Sequence, residues 1–336
     1  MMADAAEGIA PHRDSSEQDE RIERLLRGAV DLHCHSGPSI MRRSLSHVEA
    51  IREAEAAGMR AILFKDHYYD ATPVTQLLDE ERFAKPGFLL FSGVPLNNAL
   101  GGLNPYAVEH GLKLGARIVW MPTLSAMNHQ RRAFRYDLAA KIGGRRMRPE
   151  TGISVLTEQG QLKDEVKLIL DLIARNDAVL SGGHLHVSEM WALFVEAKQR
   201  GVTRMLVSHP TYWIDATLTD LRQLGAMGVY LEHCACQMID CPSRKYTAAE
   251  VGGFIDSGTI GQTILGSDLG QPSNPRPVEG FREVIKLCIE LGYADAEIAA
   301  MVGANACRLL GIEQFPQAQA SPDTATAPAK TRRLAS

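Results

Sequence analysis

A short aliphatic or β-branched run, a polar loop and an amphipathic helix follow one another repeatedly along this chain, and this alternation restricts its fold more than any other feature. Eight such runs recur, mostly at intervals of about thirty residues, the size of one βαβ unit. They span 29–33, 61–65, 88–92, 117–121, 178–182, 204–208, 229–233 and 263–267. Strands that alternate with single helices pair in parallel through crossover connections. We therefore predict an α/β fold, a (β/α)8 TIM barrel in a single domain.

The helix after the first run carries the clearest local signals. Val48 and Ile51 lie at helical spacing, Ser46 and Glu49 have the spacing of a capping box, and Gly58 follows as a stop. The other intervals show similar apolar periodicity, which supports one helix after each strand.

The ends of the chain and one interval depart from this rhythm. Residues 1–24 are polar and acidic and residues 313–336 are rich in Ala, Pro, Thr and Ser, so we predict disordered tails flanking a barrel domain at 25–312. Nearly sixty residues separate the fourth and fifth strands and include the basic run 130–148. This insertion is interpreted as a cover over the barrel mouth or an oligomer contact, with a solvated loop as the alternative.

Composition limits the classes of partner. The chain has 336 residues, 45% of them hydrophobic and 23% charged, without the roughly 18 uninterrupted apolar residues of a membrane helix. Its formal net charge is -4 and its basic residues are scattered, which disfavours nucleic-acid binding. We predict a cytoplasmic homo-oligomer with reduced cysteines and a small-molecule substrate, without a nucleic-acid or membrane partner.

Histidines fall at the ends of several predicted strands. His33 and His35 end the first strand, where a period of two places both imidazoles on one side. Further candidates follow strands five, six and eight: His184, His186, His209 and Asp268. In a barrel these positions converge on one face. Imidazole nitrogens with a carboxylate favour Zn2+, with Mn2+, Fe2+ or Ni2+ as alternatives.

This arrangement resembles the amidohydrolase superfamily, whose signature is His-x-His on strand one, a histidine on each of strands five and six, and an aspartate on strand eight. The resemblance covers residues 31–312 and includes Asn305-Ala-Cys-Arg-Leu-Leu-Gly311, similar to the helix that ends many members. It implies the metal ligands His33, His35, His184, His209 and Asp268. His184 and His186 are not separated by the sequence, but His184 lies nearer the strand end, which would leave His186 facing substrate.

The chain departs from the common pattern of this superfamily at strand four. Members with two metals often carry a bridging lysine carbamate or glutamate there, whereas residues 119–123 contain neither residue type. Lys65, after strand two, is the candidate bridge, because an amine inside a barrel mouth is costly unless it is deprotonated, paired or modified. The alternative is a salt bridge from Lys65 to Asp66 or Asp268. One or two metal ions are both compatible with the sequence, with a carbamate on Lys65 in the second case.

Further residues are assigned roles by position. Asp268 is predicted to be the catalytic base, with His186 or His233 assisting the developing oxyanion. Glu232, beside His233, is a candidate to orient substrate or to support a metal ligand.

Residues in the first two loops are predicted to contact substrate. Arg42, beside Arg43, is placed to bind a substrate carboxylate, and His67 and Tyr68 are placed at the mouth. A solvated charge for Arg42 and simple packing for Tyr68 are the alternatives.

The remaining histidines and a cysteine group are given structural roles. Four histidines that fall in the tail, in helices or in the insertion are interpreted as surface or structural residues: His12, His47, His110 and His129. Three neighbouring cysteines are interpreted as buried apolar side chains, with a structural zinc site as the alternative: Cys234, Cys236 and Cys241.

The resemblance implies a hydrolase that uses a metal-activated water, with a C–N bond in a cyclic or linear amide as the favoured target. Lactones and phosphoesters are alternative substrates. A mononuclear decarboxylase or hydratase of an aromatic acid is the alternative reaction class, and a catalytically silent metabolite-binding barrel is a third hypothesis.

Overall fold

The computed structural model describes residues 12–132 and 141–313 and has the mixed α/β architecture that the sequence predicts. The strands of this part are β1 (Val30–Cys34), β2 (Ala61–Phe64), β3 (Leu89–Phe91), β4 (Gly93–Pro95), β5 (Ile118–Trp120), β6 (Val179–Ser181), β7 (Met205–Ser208), β8 (Tyr230–Cys234) and β9 (Thr263–Gly266). Each predicted run overlaps one of these strands. The third extended stretch is longer than predicted, because the chain continues from β3 past Ser92 into β4.

All the strand pairs are parallel, and neighbours in sequence are neighbours in the sheets. β1, β2 and β3 form one sheet, and β4 to β9 form a second in sequential order. The ladder is not continuous around the whole set. Cys34, at the end of β1, forms an isolated parallel bridge with Leu269, and the amide of His35 donates to the Leu269 carbonyl at 2.9 Å. The last strand therefore approaches the first.

One helix precedes the first strand, and the others follow the strands as connections or close the chain. They are α1 (His12–Leu26), α2 (His47–Ala56), α3 (Thr72–Glu80), α4 (Pro105–Leu114), α5 (Met127–Gln130), α6 (Asp164–Arg175), α7 (Val187–Gln199), α8 (Leu218–Ala226), α9 (Ala248–Gly258), α10 (Pro277–Glu290), α11 (Asp295–Ala299) and α12 (Asn305–Leu310), with a π-helical turn at Ala300–Ala304. The predicted capping box of α2 is present, since the Ser46 hydroxyl accepts from the Glu49 amide and the Glu49 carboxylate accepts from the Ser46 amide. None of the described helices has the length and apolar character needed to cross a bilayer.

The amino-terminal segment differs from the sequence expectation. Disorder was predicted for residues 1–24, whereas α1 begins at His12. Most of this helix is charged, but it has a narrow apolar stripe that is buried in the core and consists of Ile22, Leu25 and Leu26. Residues 314–336, most of the predicted carboxyl-terminal tail, lie outside the described residues, as do residues 1–11.

One layer of inward side chains separates the two ends of the strands. It is apolar and consists of Val30, Leu32, Ala61, Leu63, Ile118, Trp120, Val179, Leu206 and Ile264. Helix α12 packs Leu309 and Leu310 against this layer. Arg117 and Arg204, which precede β5 and β7, donate to backbone carbonyls of α12, so the helix covers the amino ends of the strands. Polar residues occupy the carboxyl ends of the strands.

The described part of the insertion lies against the loop after β1. The amide of Arg42 donates to the carbonyl of Lys141 at 2.8 Å, and Arg145 donates to the carbonyl of Ile40 at 3.3 Å. These contacts place the insertion at the carboxyl-end face. Residues 133–140, in the middle of the predicted run, are outside the described part.

Candidate metal centre

The first strand delivers two imidazoles to the centre of the fold. Val30 and Leu32 belong to the inner apolar layer, and the register of β1 against β2 shifts between Asp31 and Cys34. This irregularity turns the inward face from Leu32 to His33 and His35. The two buried rings lie 5.1 Å apart in an edge-to-face arrangement.

Asp268, just after β9, faces three histidines. Its Oδ1 lies 3.1 Å from His35 Nε2 and 3.4 Å from His33 Nε2. Its Oδ2 lies 3.6 Å from His209 Nδ1. Four of the predicted ligands therefore converge. Within the described residues, the group of His33, His35 and Asp268 is compact enough for one ion to contact a ligand atom of each.

Two members of this group have unusual backbone conformations. His209 has φ of 53° and Asp268 has φ of 48°, in the left-handed region that side chains with a Cβ seldom adopt. Such conformations persist where the surrounding structure imposes them, and they concentrate at functional sites. The surrounding structure thus holds both residues, at the ends of β7 and β9, in backbone conformations that are locally unfavourable.

The protonation states of this group suit metal binding. Burial lowers the pKa of His33, His35 and His209 to about 3 in each case, so the imidazoles are neutral near pH 7. Burial by itself would raise the pKa of Asp268, but the adjacent His33, His209 and His35 hold it well below its usual range. Neutral imidazoles with free lone pairs and an ionised carboxylate are the forms that bind metal.

Glu232 supports His33 from β8. Its Oε2 lies 3.2 Å from His33 Nδ1, and burial raises the pKa of this carboxyl group. A Cβ at Gly266 on the neighbouring strand would collide with the Glu232 carboxylate, so glycine is required there. A carboxylate on the second ring nitrogen fixes the orientation of a ligating histidine. The sequence indicated Glu232 only as a candidate support.

Lys65 reaches the same centre from the end of β2. Its Nζ lies 2.9 Å from His33 Nε2 and 5.4 Å from the centre of the Trp120 ring. The side chain is buried, and burial lowers its pKa, an effect that Asp268 and Glu232 oppose. The closest polar partner is thus an imidazole, rather than the carboxylate of Asp66 or Asp268 that the salt-bridge alternative required.

His184 and His129 form a second group of imidazoles beside the first. Their Nδ1 atoms are 2.9 Å apart, and the rings are stacked with Trp213 at the edge of the site. His184 Nε2 and His209 Nδ1 are buried and have no hydrogen-bond partner among the described residues. Buried polar atoms are rarely left in this state, and a nitrogen with a free lone pair in such a position is able to bind a metal ion.

His67 closes the gap between the two groups. Its ring centre is 5.1 Å from that of His35 and 6.2 Å from that of His184. Its Nδ1 is 2.9 Å from Thr123 Oγ1, which also accepts from Asn97. His67 thus lies at the mouth, and its contact with substrate stays a prediction.

Two predicted catalytic histidines lie away from this centre. His233 follows the inward Glu232, so strand alternation turns its ring outward, where it stacks on Phe254. His186 is the N-cap residue of α7, with its side chain 41% exposed and its Nδ1 accepting from the Ser188 amide. These positions differ from the sequence expectation for both residues, and His184 is the member of its pair in the site.

The predicted substrate contacts divide in the same way. Arg42 is exposed and does not line the cleft, whereas the neighbouring Arg43 turns inward, with its guanidinium 3.3 Å from His35 Nδ1 and 3.7 Å from Asp66. Tyr68 packs in a small apolar cluster with Met41 and is not part of the cleft lining.

The cysteines do not gather into a cluster of their own. Cys236 donates its thiol proton to Asp268 Oδ2 at 3.1 Å, and Cys241 donates to the Cys236 carbonyl. Burial raises the pKa of Cys234 and Cys236 well above the usual range. Both are protonated thiols, and Cys234 lies close enough to His33 and His209 to share an ion with them.

Sequence reasoning missed His129, which it assigned to the surface or to a structural role. The residue lies in α5, within the long segment that follows β5 at the carboxyl-end face. Its position just after a strand end was the available signal, because loops on that face supply the sites of parallel barrels.

These residues surround one cleft of about 170 Å³ that opens to solvent. Histidines and Asp268 form its floor, and three basic residues line it: Arg43, Lys141 and Lys245.

A family model matches residues 28–232, more than half of the chain. The chain belongs to the family of unknown function DUF6282. The matched region ends before Asp268 and includes the support residue Glu232. It also includes the other predicted ligands: His33, His35, Lys65, His184 and His209. A search among curated proteins finds no match.

Solved structures with a similar fold have little sequence in common with this chain. They include an amidohydrolase from Pseudomonas aeruginosa, which is 12% identical with a TM-score of 0.59 over 86% of this chain and 97% of the other. The probable dipeptidase PvdM from the same organism is 10% identical, with a TM-score of 0.56 over 90% and 98%. An organophosphorus hydrolase variant from Deinococcus radiodurans is 11% identical, with a TM-score of 0.55 over 86% and 94%. At these identities the comparison supports the resemblance to the amidohydrolase superfamily in fold alone.

Proposed function

We propose that this protein is a metal-dependent hydrolase whose strands form one closed (β/α)8 barrel. In this barrel β3 and β4 act as one strand interrupted at Ser92, and the Cys34–Leu269 bridge closes the ring between the last strand and the first. Closure explains why side chains from β1, β2, β8 and the end of β9 meet in one small space.

The observation that carries the proposal is Asp268 facing the Nε2 atoms of His33 and His35 and the Nδ1 atom of His209. The donor set of neutral imidazoles and one carboxylate fits Zn2+. The unpartnered nitrogens of His184 and His209 fit the same interpretation, because a nitrogen that binds metal needs no hydrogen-bond partner. We assign His33, His35, His184, His209 and Asp268 as ligands.

Lys65 is proposed to bridge a second ion as a carbamate. Its amine lies beside His33 and has a lowered pKa because of burial. A neutral amine is the form that reacts with carbon dioxide. The resulting carbamate anion would place oxygen ligands next to the Nε2 nitrogen of His33.

Individual residues of the chain then have separate roles in hydrolysis. The bound ion supplies Lewis-acid activation of water and of the scissile bond. Asp268 accepts the proton of the attacking water and returns it to the leaving group. Glu232 holds His33 through Nδ1 so that Nε2 points to the centre. Trp213 and Leu124 limit the access of bulk water at the wall of the cleft.

The proposed substrate is a small molecule with a C–N bond in a cyclic or linear amide. The cleft volume of about 170 Å³ suits a compact molecule. The amidohydrolase and the dipeptidase among the similar folds lend support by analogy, whereas the organophosphorus hydrolase keeps phosphoesters in the substrate screen, together with lactones.

One observation favours a second candidate function. If Lys65 keeps its free amine, its Nζ at 2.9 Å from His33 Nε2 fills the space of a second ion, which leaves a mononuclear site. A mononuclear site would favour the decarboxylation or hydration of an aromatic acid. Aromatic acids therefore belong in the same screen.

The test combines metal content, intact mass and activity on one preparation. We expect the purified protein to hold zinc tightly. Its intact mass should exceed the sequence mass by one carbon dioxide, and acid treatment or the substitution Lys65→Met should abolish this increase. Amide hydrolysis should stop when a chelator removes the metal and return when Zn2+ is added. Lys113→Met, on the exposed surface of α4, serves as the matched control and should retain mass increase and activity. The proposal is wrong if the purified protein binds no divalent metal. It is also wrong if every activity survives the double substitution of His33→Ala with Asp268→Asn.

A further inference from the structure

We propose that Asp31 is a positioning residue for the metal centre, because its buried carboxylate, bonded to Ser267, aligns both His33 and Asp268. The inference rests on the proposed function for the metal ion, and it gives a role to a carboxylate that neither holds the ion nor touches substrate.

Asp31 lies behind the site, at the seam between the first and last strands. Its residue is 0% exposed, and it does not line the cleft. Val30 and Leu32 face the inner apolar layer, so strand alternation directs the intervening Asp31 side chain to the opposite side of β1. β1 and β9 belong to different sheets, so the backbone ladder does not join them here. The Asp31 carboxylate supplies bonds across this seam instead.

The contacts with β9 hold the backbone on both sides of Asp268. The Ser267 amide donates to Asp31 Oδ1 at 3.0 Å, and the Ser267 hydroxyl donates to Oδ2 at 2.6 Å. The same hydroxyl accepts from the Leu269 amide at 3.3 Å. Asp268, between these two residues, has the left-handed φ of 48°. A locally unfavourable conformation of this kind persists when its neighbours are fixed, and Asp31 and Ser267 together fix them.

The contact within β1 acts on His33. The His33 amide donates to Asp31 Oδ1 at 3.0 Å, so a side chain accepts from the amide two residues later. Such local bonds compete with the regular strand ladder, and the register of β1 against β2 shifts between Asp31 and Cys34. This shift is the irregularity that turns His33 inward. One carboxylate therefore governs the backbone of two groups that face each other, with His33 Nε2 and Asp268 Oδ1 at 3.4 Å.

The expected consequence is a metal centre whose ligands are held in place before the ion arrives. Without the bonds from Ser267, the backbone of Asp268 is free to relax toward a commoner conformation, which moves its carboxylate away from His33 and His35. Partners that orient metal ligands typically contribute about 10- to 100-fold to metal affinity.

The first test removes one hydroxyl. Ser267→Ala deletes the bonds to Asp31 Oδ2 and to the Leu269 amide. Ser181→Ala, at the end of β6, is the matched control, because Ser181 is equally buried and its hydroxyl has no partner among the described residues. Zinc affinity is measured by competition with a chromophoric chelator, and the visible spectrum of the Co2+-substituted protein reports the geometry of the ligands.

We expect Ser267→Ala to lower zinc affinity about 10- to 100-fold and to change the Co2+ spectrum, whereas Ser181→Ala should alter neither. Thermal melts of the metal-free variants separate positioning from stability. A lower thermal midpoint with the affinity and the Co2+ spectrum of the wild type shows a merely structural bond and overturns the inference.

The second test changes the carboxylate itself. Asp31→Asn keeps an oxygen for the amides of His33 and Ser267, and its amide group donates to the Ser267 hydroxyl, which then donates to the His33 carbonyl 3.0 Å away. We expect Asp31→Asn to keep zinc affinity within about threefold, and Asp31→Ala to lose at least as much as Ser267→Ala. Equal losses in the two Asp31 variants overturn the inference. If Asp31→Ala does not fold, Ser267→Ala and Asp31→Asn decide it.

The outcomes also separate this inference from the hydrolase proposal. Metal-dependent amide hydrolysis with wild-type zinc affinity in Ser267→Ala overturns the role of Asp31 alone. A loss of zinc affinity in Ser267→Ala that Asp31→Asn does not share, in a protein that hydrolyses none of the screened bonds, supports the role of Asp31 and overturns the hydrolase. A protein that binds neither Zn2+ nor Co2+ overturns both.

Discussion

At the amino ends of the strands the central space is filled by Val30, Leu63, Ile264 and their neighbours, and α12 covers it with leucines. At the carboxyl ends the same strands place His33, Lys65 and Glu232 in an equally buried space. The first region gains stability from apolar burial, whereas the second incurs the cost of desolvating polar groups. The same strands thus carry a stabilising apolar layer at their amino ends and the polar residues of the candidate site at their carboxyl ends.

The strongest test of this division is Asp268→Asn at the carboxyl end. We expect hydrolysis to fall about 100- to 10,000-fold, because the amide neither accepts the proton nor binds zinc as an anion. The thermal midpoint of the metal-free protein should change little, because asparagine keeps the size of the side chain and an oxygen that can accept from Cys236.

Steady-state kinetics on the amide found in the screen and thermal melts of the metal-free protein measure the two effects. Asp164→Asn, which breaks an exposed pair with Lys167, is the control and should change neither. A large loss of metal-free stability in the Asp268 variant would contradict the division between the ends.

At the amino end, Leu309→Ala should have the opposite profile. The side chain is 1% exposed, so truncation should lower the free energy of unfolding by about 2–5 kcal/mol. Activity per folded molecule should stay within about twofold, because the site is at the other end. Denaturant melts paired with active-site titration check this, and Leu168→Ala, at a 55% exposed position on α6, should cost less than about 0.5 kcal/mol. Equal costs for the two variants would contradict the role of α12.

His129→Phe sharpens the comparison within the carboxyl end. Phenylalanine keeps a ring between His184 and Trp213 but removes the nitrogen that contacts His184 Nδ1. Zinc affinity should fall about 10- to 100-fold while the thermal midpoint of the metal-free protein changes little. Competition with a chromophoric chelator measures the affinity, and His110→Phe on the exposed face of α4 is the control. Unchanged affinity would remove His129 from the metal centre.

The smallest expected effect is a dependence of metal-free stability on pH. Burial lowers the pKa of His35 to about 3 from its usual value of 6.5, so unfolding takes up a proton at any pH between these values. Stability is therefore fully present above pH 6.5 and is lost as pH falls toward 3, by about 3 kcal/mol per such histidine at pH 4.5. His35→Gln should make the decline between pH 6.5 and 4.5 shallower, whereas Leu309→Ala should only displace the curve. Parallel curves for the wild type and the His35 variant would refute the assignment.

Much of the strand and ligand arrangement follows from sequence because it depends on short-range periodicity. Each predicted run overlaps a strand, and the strand-end rule brings His33, His35, His209 and Asp268 together. The rule does not say which of two adjacent residues on a strand points inward. Glu232 and His233 are such a pair, and the sequence signal that separates them is Gly266 on the next strand, which leaves space for an inward Glu232 carboxylate.

Other features depend on tertiary contacts that no local pattern encodes. His186 has the spacing of a ligand, but its nitrogen caps a helix instead. His129 approaches His184 only because the insertion folds back over the strand ends. The helix at His12–Leu26 is stable through burial of a few apolar residues in an otherwise charged segment.

The position of α12 also has a consequence for the order in which the molecule is made. Its leucines complete the layer that begins with Val30, and Arg117 and Arg204 bind its last carbonyls. A nascent chain that has released every strand from the ribosome still lacks the residues that seal this layer. Completion of the fold must therefore await the emergence of residues 305–310, and until then the growing chain exposes an apolar surface that chaperones can bind.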